Sequence, residues 1–326
     1  MKTLKKLFFI LLAISAVSCG NSHKGITVKT PNFSNGKAGE IIVVADEPYW
    51  TTMQEYVTIS LTQPQPAINQ IEPLFDILQF SYKDFSKQFQ RHRNIVHFDV
   101  NPNYVENQYY IETDKWSAPQ VYVRIKSFDA DSCLALFKKH EEEIVKALYD
   151  NDLKRNQAFY AKNVEAGIQK RIKQKFGLRL TVPNTYIIAS DTTDFMWLRF
   201  RTARNDRFIM IYRLSSTELT RAILINQRNE ITKAHIPGAV LGAYPIVAET
   251  LGFPISDSLT INGKEGVEMR GLWECVNDKM GGPFYSFSYL SPDNQYVITI
   301  DGFVYAPEET KRDYLREVES IVKSVK

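Results

Sequence analysis

The sequence predicts an α+β protein of two domains, a mixed sheet with helices followed by an antiparallel sheet flanked by helices. Three patterns carry that expectation. Residues 40–125 interleave short apolar runs with helical spacing, and residues 128–176 repeat apolar positions every three or four. Residues 178–305 alternate apolar and polar residues between turn signals. The first pattern needs a sheet covered by helices, and the last an antiparallel sheet with one face on a core.

A leader precedes the folded part. Lys2, Lys5 and Lys6 stand before an apolar run from Leu7 to Val17, and Ala16-Val17-Ser18 brings short residues up to Cys19. A positive start, a brief apolar stretch and small residues are the signature of a secretory signal peptide. The run is too short to span a bilayer, which takes about 20 residues. A cysteine directly after the small residues predicts a lipoprotein, cut before Cys19, with diacylglycerol and palmitate on Cys19 as its membrane anchor. The tripeptide resembles a lipobox, although Ala16 stands where that box prefers leucine. Residues 1–18 are then the signal peptide, and 19–39, polar and glycine-dotted, a lipidated flexible tether.

The leader also bears on charge. The chain has 40 Lys+Arg against 37 Asp+Glu. The first 18 residues hold three lysines and no acid, so the remainder balances at 37 of each. Neutrality removes the global electrostatic case for a nucleic-acid partner.

The N-terminal domain is expected over 40–150. Glu40–Ala45 reads as a buried strand, and Pro48 suits the first turn of a helix through Trp50, Met53, Tyr56 and Val57. Pro64 and Pro66 close it. Strands follow at 74–82, 94–100, 108–113 and 120–125, with a short helix through Phe85 and Phe89. Leu134, Phe137, Ile144 and Leu148 form one helical stripe. After a break at Asn151-Asp152, a connecting helix over 151–177 carries Tyr160, Val164, Ile168, Ile172 and Phe176 and stops at Gly177.

The C-terminal domain, 178–326, opens with an alternating strand at Leu178–Pro183 and continues at 185–189. Strands at 195–202 and 207–214 flank Ala203-Arg204-Asn205-Asp206 as a hairpin. Residues 217–251 are ambiguous and include helix. Further strands fall at 266–276, 284–290 and 296–305, with Ser291-Pro292-Asp293-Asn294 as a turn. A helix through Tyr314, Val318, Ile321 and Val325 ends the chain.

Catalytic signatures are absent: no Gly-x-Ser-x-Gly, no Walker loop, no dinucleotide glycine fingerprint, no His-Glu-x-x-His and no Cys-x-x-Cys. The five histidines, at 23, 92, 97, 140 and 235, lack metal-ligand spacing, so neither a metal site nor a cofactor is expected. Cys133 and Cys275 fall on a helix and a strand in different halves, which favours two buried thiols over a disulfide. Arg91-His92-Arg93 is the densest cationic spot. It is either a site for a carboxylate, phosphate or sugar acid, or a charged loop at a helix end. Arg199, Arg201, Arg204 and Arg207 pose the same choice in the hairpin. Glu268, Arg270 and Glu274 share one face of a strand with Trp273 on the other. Paired carboxylates with a stacking tryptophan suit sugar chemistry, but a half-exposed strand gives the same pattern. The candidate ligand-binding residues are therefore Arg91, His92, Arg93, Arg270, Trp273 and Glu274.

Two resemblances add to this reading. The Leu178–Pro183 strand, the 195–214 hairpin and the order strand, Ser291–Gln295 turn, strand, terminal helix resemble the Mog1/PsbP-like fold. Members of that fold are mostly accessory and binding proteins, many without catalysis. The Cys19 leader, Phe89-Gln90-Arg91-His92-Arg93-Asn94-Ile95 and Asp114-Lys115-Trp116-Ser117-Ala118-Pro119-Gln120 resemble an uncharacterised lipoprotein family of Bacteroidetes, a domain of unknown function. It implies a cell-envelope location and no mechanism. Residues 20–25 hold no acidic cluster, which favours an outer-membrane lipoprotein facing the periplasm. The expected role is a non-catalytic binding or assembly accessory with an envelope protein partner. The alternative is a hydrolase or transferase on envelope polymers, using Glu268 and Glu274 or the Arg91–Arg93 cluster.

Overall fold

Strand β2 (Glu40–Val44) is apolar at every position after Glu40, and all four of those side chains are buried. Such a strand must lie inside a sheet covered on both faces. The structure, a computed structural model, describes residues 32–249 and 254–326. The leader, Cys19 and most of the tether lie outside the described residues.

Around β2 the first half builds β3 (Asp76–Phe80), β4 (Asn94–Val100), β5 (Gln108–Thr113) and β7 (Val121–Ser127) in the order β3-β2-β4-β7-β5. The first four run parallel, and β5 closes the edge antiparallel. One face carries Ile41, Val43, Val96, Phe98 and Val123 against α1 (Glu47–Leu61), α2 (Ala130–Lys139) and α3 (Glu141–Tyr160). The other carries Ile42, Val44, Ile95 and Tyr122 under Phe85, Phe89 and Trp116. The helix expected through Phe85 and Phe89 is instead two three-residue 3-10 turns, Tyr82–Asp84 and Phe89–Arg91. Tight turns suffice here, because the segment only has to drop two aromatic rings onto the sheet.

Residues 32–39 are not a loose tether. Strand β1 (Asn32–Phe33) pairs with β6 (Ser117–Ala118), Ser34 is buried, and Gly39 N–H donates to Asp152 at 2.9 Å. The break expected at Asn151-Asp152 is absent too, since α3 runs through both. Polar residues in a helix read as a terminus only when nothing else satisfies them. Here Asn151 donates to the Arg93 carbonyl and to Asn94 Oδ1, each at 2.9 Å. The connecting helix over 151–177 is correspondingly two pieces: the last turns of α3, then α4 (Ala166–Phe176), whose Ile168, Ile172 and Phe176 enter the core of the second half.

The second half holds an eight-stranded antiparallel sheet: β8 (Ile187–Asp191), β9 (Phe195–Arg201), β10 (Asp206–Leu214), β11 (Tyr244–Ala248), β12 (Ile255–Ile261), β13 (Lys264–Val276), β14 (Gly281–Leu290) and β15 (Val297–Tyr305). The order is β11-β13-β14-β15-β10-β9-β8, with β12 paired to β13. Leu178–Pro183 joins no ladder. Its alternation is real, with Leu178, Leu180 and Val182 buried, but the segment runs under the sheet and bonds only at points such as Arg179 with Lys326. Asn262-Gly263, both at positive φ, make the two-residue turn between β12 and β13.

Helix α5 (Arg221–His235) covers one sheet face, where Arg228 pairs with Asp301 at 2.8 Å in full burial. Helix α6 (Arg312–Val322) covers the other through Leu315, Val318, Ile321 and Val322. Full burial of each such side chain is worth about 1.5–3 kcal/mol. Helix α6 also packs against α3 and so joins the halves. Its own N-cap makes no side-chain bond; Glu72 of the first half accepts from the Lys311 and Arg312 N–H groups at 2.7 and 2.8 Å. A carboxylate there satisfies two orphan donors and complements the helix dipole.

Candidate functional site

The residues singled out by sequence do not gather at one place. Arg91 is exposed. His92 is buried, with Nε2 2.8 Å from Glu40 Oε1 and Nδ1 3.0 Å from the Asn94 carbonyl. Arg93 is buried on the Gly36 carbonyl (2.7 Å) and Asp152 (3.3 Å). The reason is topological: the entry to β4 is interior, so His92 and Arg93 serve as internal ties, and the cationic trio offers no ligand site.

Strand β13 divides its candidates by parity. Arg270 holds Glu319 of α6 through two bonds of 2.8 and 2.5 Å, and Tyr285 O–H donates to Glu268 at 2.7 Å. Glu274 is exposed, while Trp273 is buried on the opposite face. Glu268 and Glu274 lie six residues apart on one strand, about 20 Å at strand rise. Glycosidase carboxylates stand roughly 5–9.5 Å apart, so these two make no such pair. In the hairpin, Arg199 and Arg201 both bond Asp206, and Arg207 reaches Glu317 and Asn205 beneath the sheet. Arg204 is exposed, 3.8 Å from Glu309. Among the described residues no three His, Cys, Asp or Glu side chains cluster as a metal would need. Cys133 and Cys275 are free and buried in separate cores.

Three candidates line cavities: Arg270 one of 570 Å³, Trp273 and Glu274 one of 610 Å³, and Trp273 a third. Beyond the end of α5 the sheet face it covers opens into a cleft of 420 Å³. Pairing builds its floor in rows: Arg199 lies opposite Phe208, Phe208 opposite Phe303, and Phe303 opposite Phe284. Trp273 crosses Gly282, and its Nε1 donates to the Val304 carbonyl at 3.1 Å. A Cβ on Gly282 would sit 2.1 Å from that carbonyl oxygen and 3.2 Å from the indole nitrogen, so only glycine lets the ring lie there. Phe208 and Phe303 stack at 4.5 Å, and Trp273 meets Phe303 edge-on at 5.7 Å. Ile236, Pro237 and Ala239, which follow α5, form a wall with Met280.

The cleft has a charged end. Arg199 Nη2 lies 2.7 Å and Arg201 Nε 3.0 Å from Asp206, giving two guanidinium groups to one carboxylate. Burial raises the Asp206 carboxyl above its ordinary value, against the opposing pull of Arg201. Among the described residues Trp197 Nε1 and Arg199 Nε are buried without a hydrogen-bond partner. Cys275 also lines the cleft, but burial pushes its thiol up to about 11, which denies it nucleophilic thiolate character. The arrangement suits binding of a molecule with a flat apolar body and an anionic end. Sequence alone offered Trp273 and the arginines. Trp197, Phe208, Phe303 and Tyr305 were visible only as strand alternation, since nothing local says that β10 lies beside β15.

No curated protein matches the sequence. Among solved structures, a point mutant of the protein Mog1 has a TM-score of 0.30 at 9% identity, covering 46% of this chain and 89% of its own. The Saccharomyces cerevisiae Ran-binding protein Mog1p has a TM-score of 0.29 at 9% identity over the same shares. The human StarD13 lipid transfer and protein localization domain reaches 0.19 at 11% identity, covering 48% of this chain and 94% of that one. At the level of families, residues 34–161 match the domain of unknown function DUF8532, and residues 165–324 match the domain of unknown function DUF4837.

Proposed function

We propose that the protein is a cell-envelope lipoprotein, held on a membrane through lipid on Cys19, that acts without catalysis as a binding accessory. Its guest is a small molecule with a flat apolar body and one anionic group, seated in the 420 Å³ cleft. The observation that carries this reading is the aromatic floor ending in two arginines that share one carboxylate. The leader, and the likeness of its segments to Bacteroidetes lipoproteins, support an outer-membrane position facing the periplasm and an envelope protein as partner. The form of the alternative that uses Glu268 and Glu274 lacks support, because those carboxylates lie about 20 Å apart on one strand.

The test uses the full chain expressed in a bacterial envelope. Labelled palmitate is expected on the wild type and not on Cys19→Ala; label on both, or on neither, overturns the anchor. Anilinonaphthalene sulfonate, an aromatic body with one anionic group, is expected to quench cleft tryptophan fluorescence. Arg199→Met should weaken it roughly tenfold, the scale of one charge-assisted hydrogen bond. Unchanged affinity in that variant overturns the cleft.

A further inference from the structure

Another pocket, of 280 Å³, opens at the carboxyl ends of β2, β3 and β4. The strand order β3-β2-β4-β7 makes this a switch point. The chain leaves β2 through α1 toward β3 on one side, and leaves β4 toward β7 on the other. Diverging connections leave a crevice outside the strand ends, the general place for a ligand in a sheet wound both ways.

Six side chains give the crevice its chemistry: Asp46 after β2, Tyr82 after β3, His97 and Asp99 on β4, Tyr104 beyond it and Arg124 on β7. Asp99 accepts from Arg124 Nε at 2.9 Å and from the Tyr104 hydroxyl at 3.0 Å, so its charge is matched. Asp46 Oδ1 accepts from Tyr82 N–H at 2.9 Å, and among the described residues Oδ2 has no partner. His97 is 5% exposed; Nδ1 meets the Tyr122 hydroxyl at 2.8 Å, and among the described residues Nε2 has no protein partner. Burial, only partly offset by Asp99, lowers His97 to about 4, so the ring is neutral. Tyr82, 62% exposed, stacks on it at 5.4 Å and 10°.

These groups narrow the guest. Asp99 matches the Arg124 charge and His97 is neutral, so among the described residues lining the crevice no unmatched cation is left for an anion, while Arg124 keeps N–H groups to donate. Three metal-binding side chains do not converge among the described residues. What remains is a ring of mixed donors and acceptors beside exposed aromatic faces, which fits a neutral polyhydroxylated molecule. We propose that this pocket binds one neutral saccharide unit, with Tyr82 as its platform and Asp46, Asp99, Arg124 and His97 Nε2 as its hydrogen-bond partners. The site is independent of the aromatic cleft.

Saturation-transfer NMR on the full chain in a sugar-free detergent tests this, with glucose, galactose and N-acetylglucosamine as probes and inorganic phosphate as competitor. At least one sugar is expected to bind with Kd about 1 mM or tighter. Tyr82→Ala and Asp46→Asn, both at exposed positions, should each weaken it at least tenfold while circular dichroism and Tm hold. No transfer to any sugar overturns the proposal. So does binding that both variants leave intact, or displacement by phosphate, which would mark an anion site.

Discussion

Asp152 of α3 and Arg316 of α6 meet at 2.9 Å with 2% and 1% of their side chains exposed. The same carboxylate accepts from Arg93, Asn94 and the Gly39 N–H, and Arg316 continues to Gln65 and the Leu74 carbonyl. One acid thus ties the sheet of the first half to the terminal helix of the second. Removing one member of a buried pair strands the other charge and costs about 3–5 kcal/mol. Asp152→Ala is expected to lose that much stability in urea denaturation. A loss below about 1 kcal/mol, the scale of an exposed pair, would mean the tie is dispensable.

Glu319 gives the fold an acid limit. Burial by itself would raise its carboxyl, but Arg270, Lys323 and the Tyr149 hydroxyl outweigh burial and hold it at about 2, below the ordinary 4.5. A carboxyl depressed on folding contributes stability that is complete above its unfolded value and fades as pH falls through the folded one. The stability advantage of wild type over Glu319→Gln should be constant above about pH 5.5 and shrink between pH 4.5 and 2, by roughly 3 kcal/mol. Urea titrations at stepped pH measure it; a pH-independent gap refutes the assignment.

Gly282→Ala should distort the cleft floor. Its Cβ meets the backbone oxygen of Val304, which cannot swing away as a side chain would. The expected cost is about 1–3 kcal/mol, the range for overpacking. Trp273 should also leave its seat, giving a shifted tryptophan emission and weaker anilinonaphthalene sulfonate binding. A variant with native Tm and emission would show that the ring does not depend on this glycine.

The two described thiols should be inert. Burial pushes Cys133 up to about 12 and Cys275 up to about 11, and they sit in different cores. Ellman's reagent is expected to label neither in the native protein and both, reduced from the start, in denaturant. Rapid native labelling at either position would contradict the burial.

Much of the fold was legible locally. Strands β4 and β5 fall at the limits that apolar patterning sets, and α6 follows its stripe as far as Ile321, ending at Val322 before Val325. The Asn262-Gly263 turn is an equally local signal, the strongest for a short hairpin. Leu178–Pro183 illustrates where local signals fail. Alternation reports which side chains face inward, not whether a neighbouring strand supplies hydrogen bonds. Asn151 and Asp152 misled for a related reason: a polar residue in a helix marks an end unless a distant segment satisfies it.

By itself the sequence determined the fold class, the succession of most elements and the separation of two cores, because hydrophobic periodicity is a local property of the chain. The proposed leader and lipid site at Cys19 likewise rest on a linear pattern with no need of a fold. Tertiary structure alone decided the sites. His92, Arg93 and Arg270 became internal ties, and Trp273 a cleft floor, according to which carboxylates and carbonyls arrived from residues far along the chain. Hydrogen bonds act over a few ångströms and screened charge pairs over about 10 Å, so a polar side chain's role follows its neighbours in space.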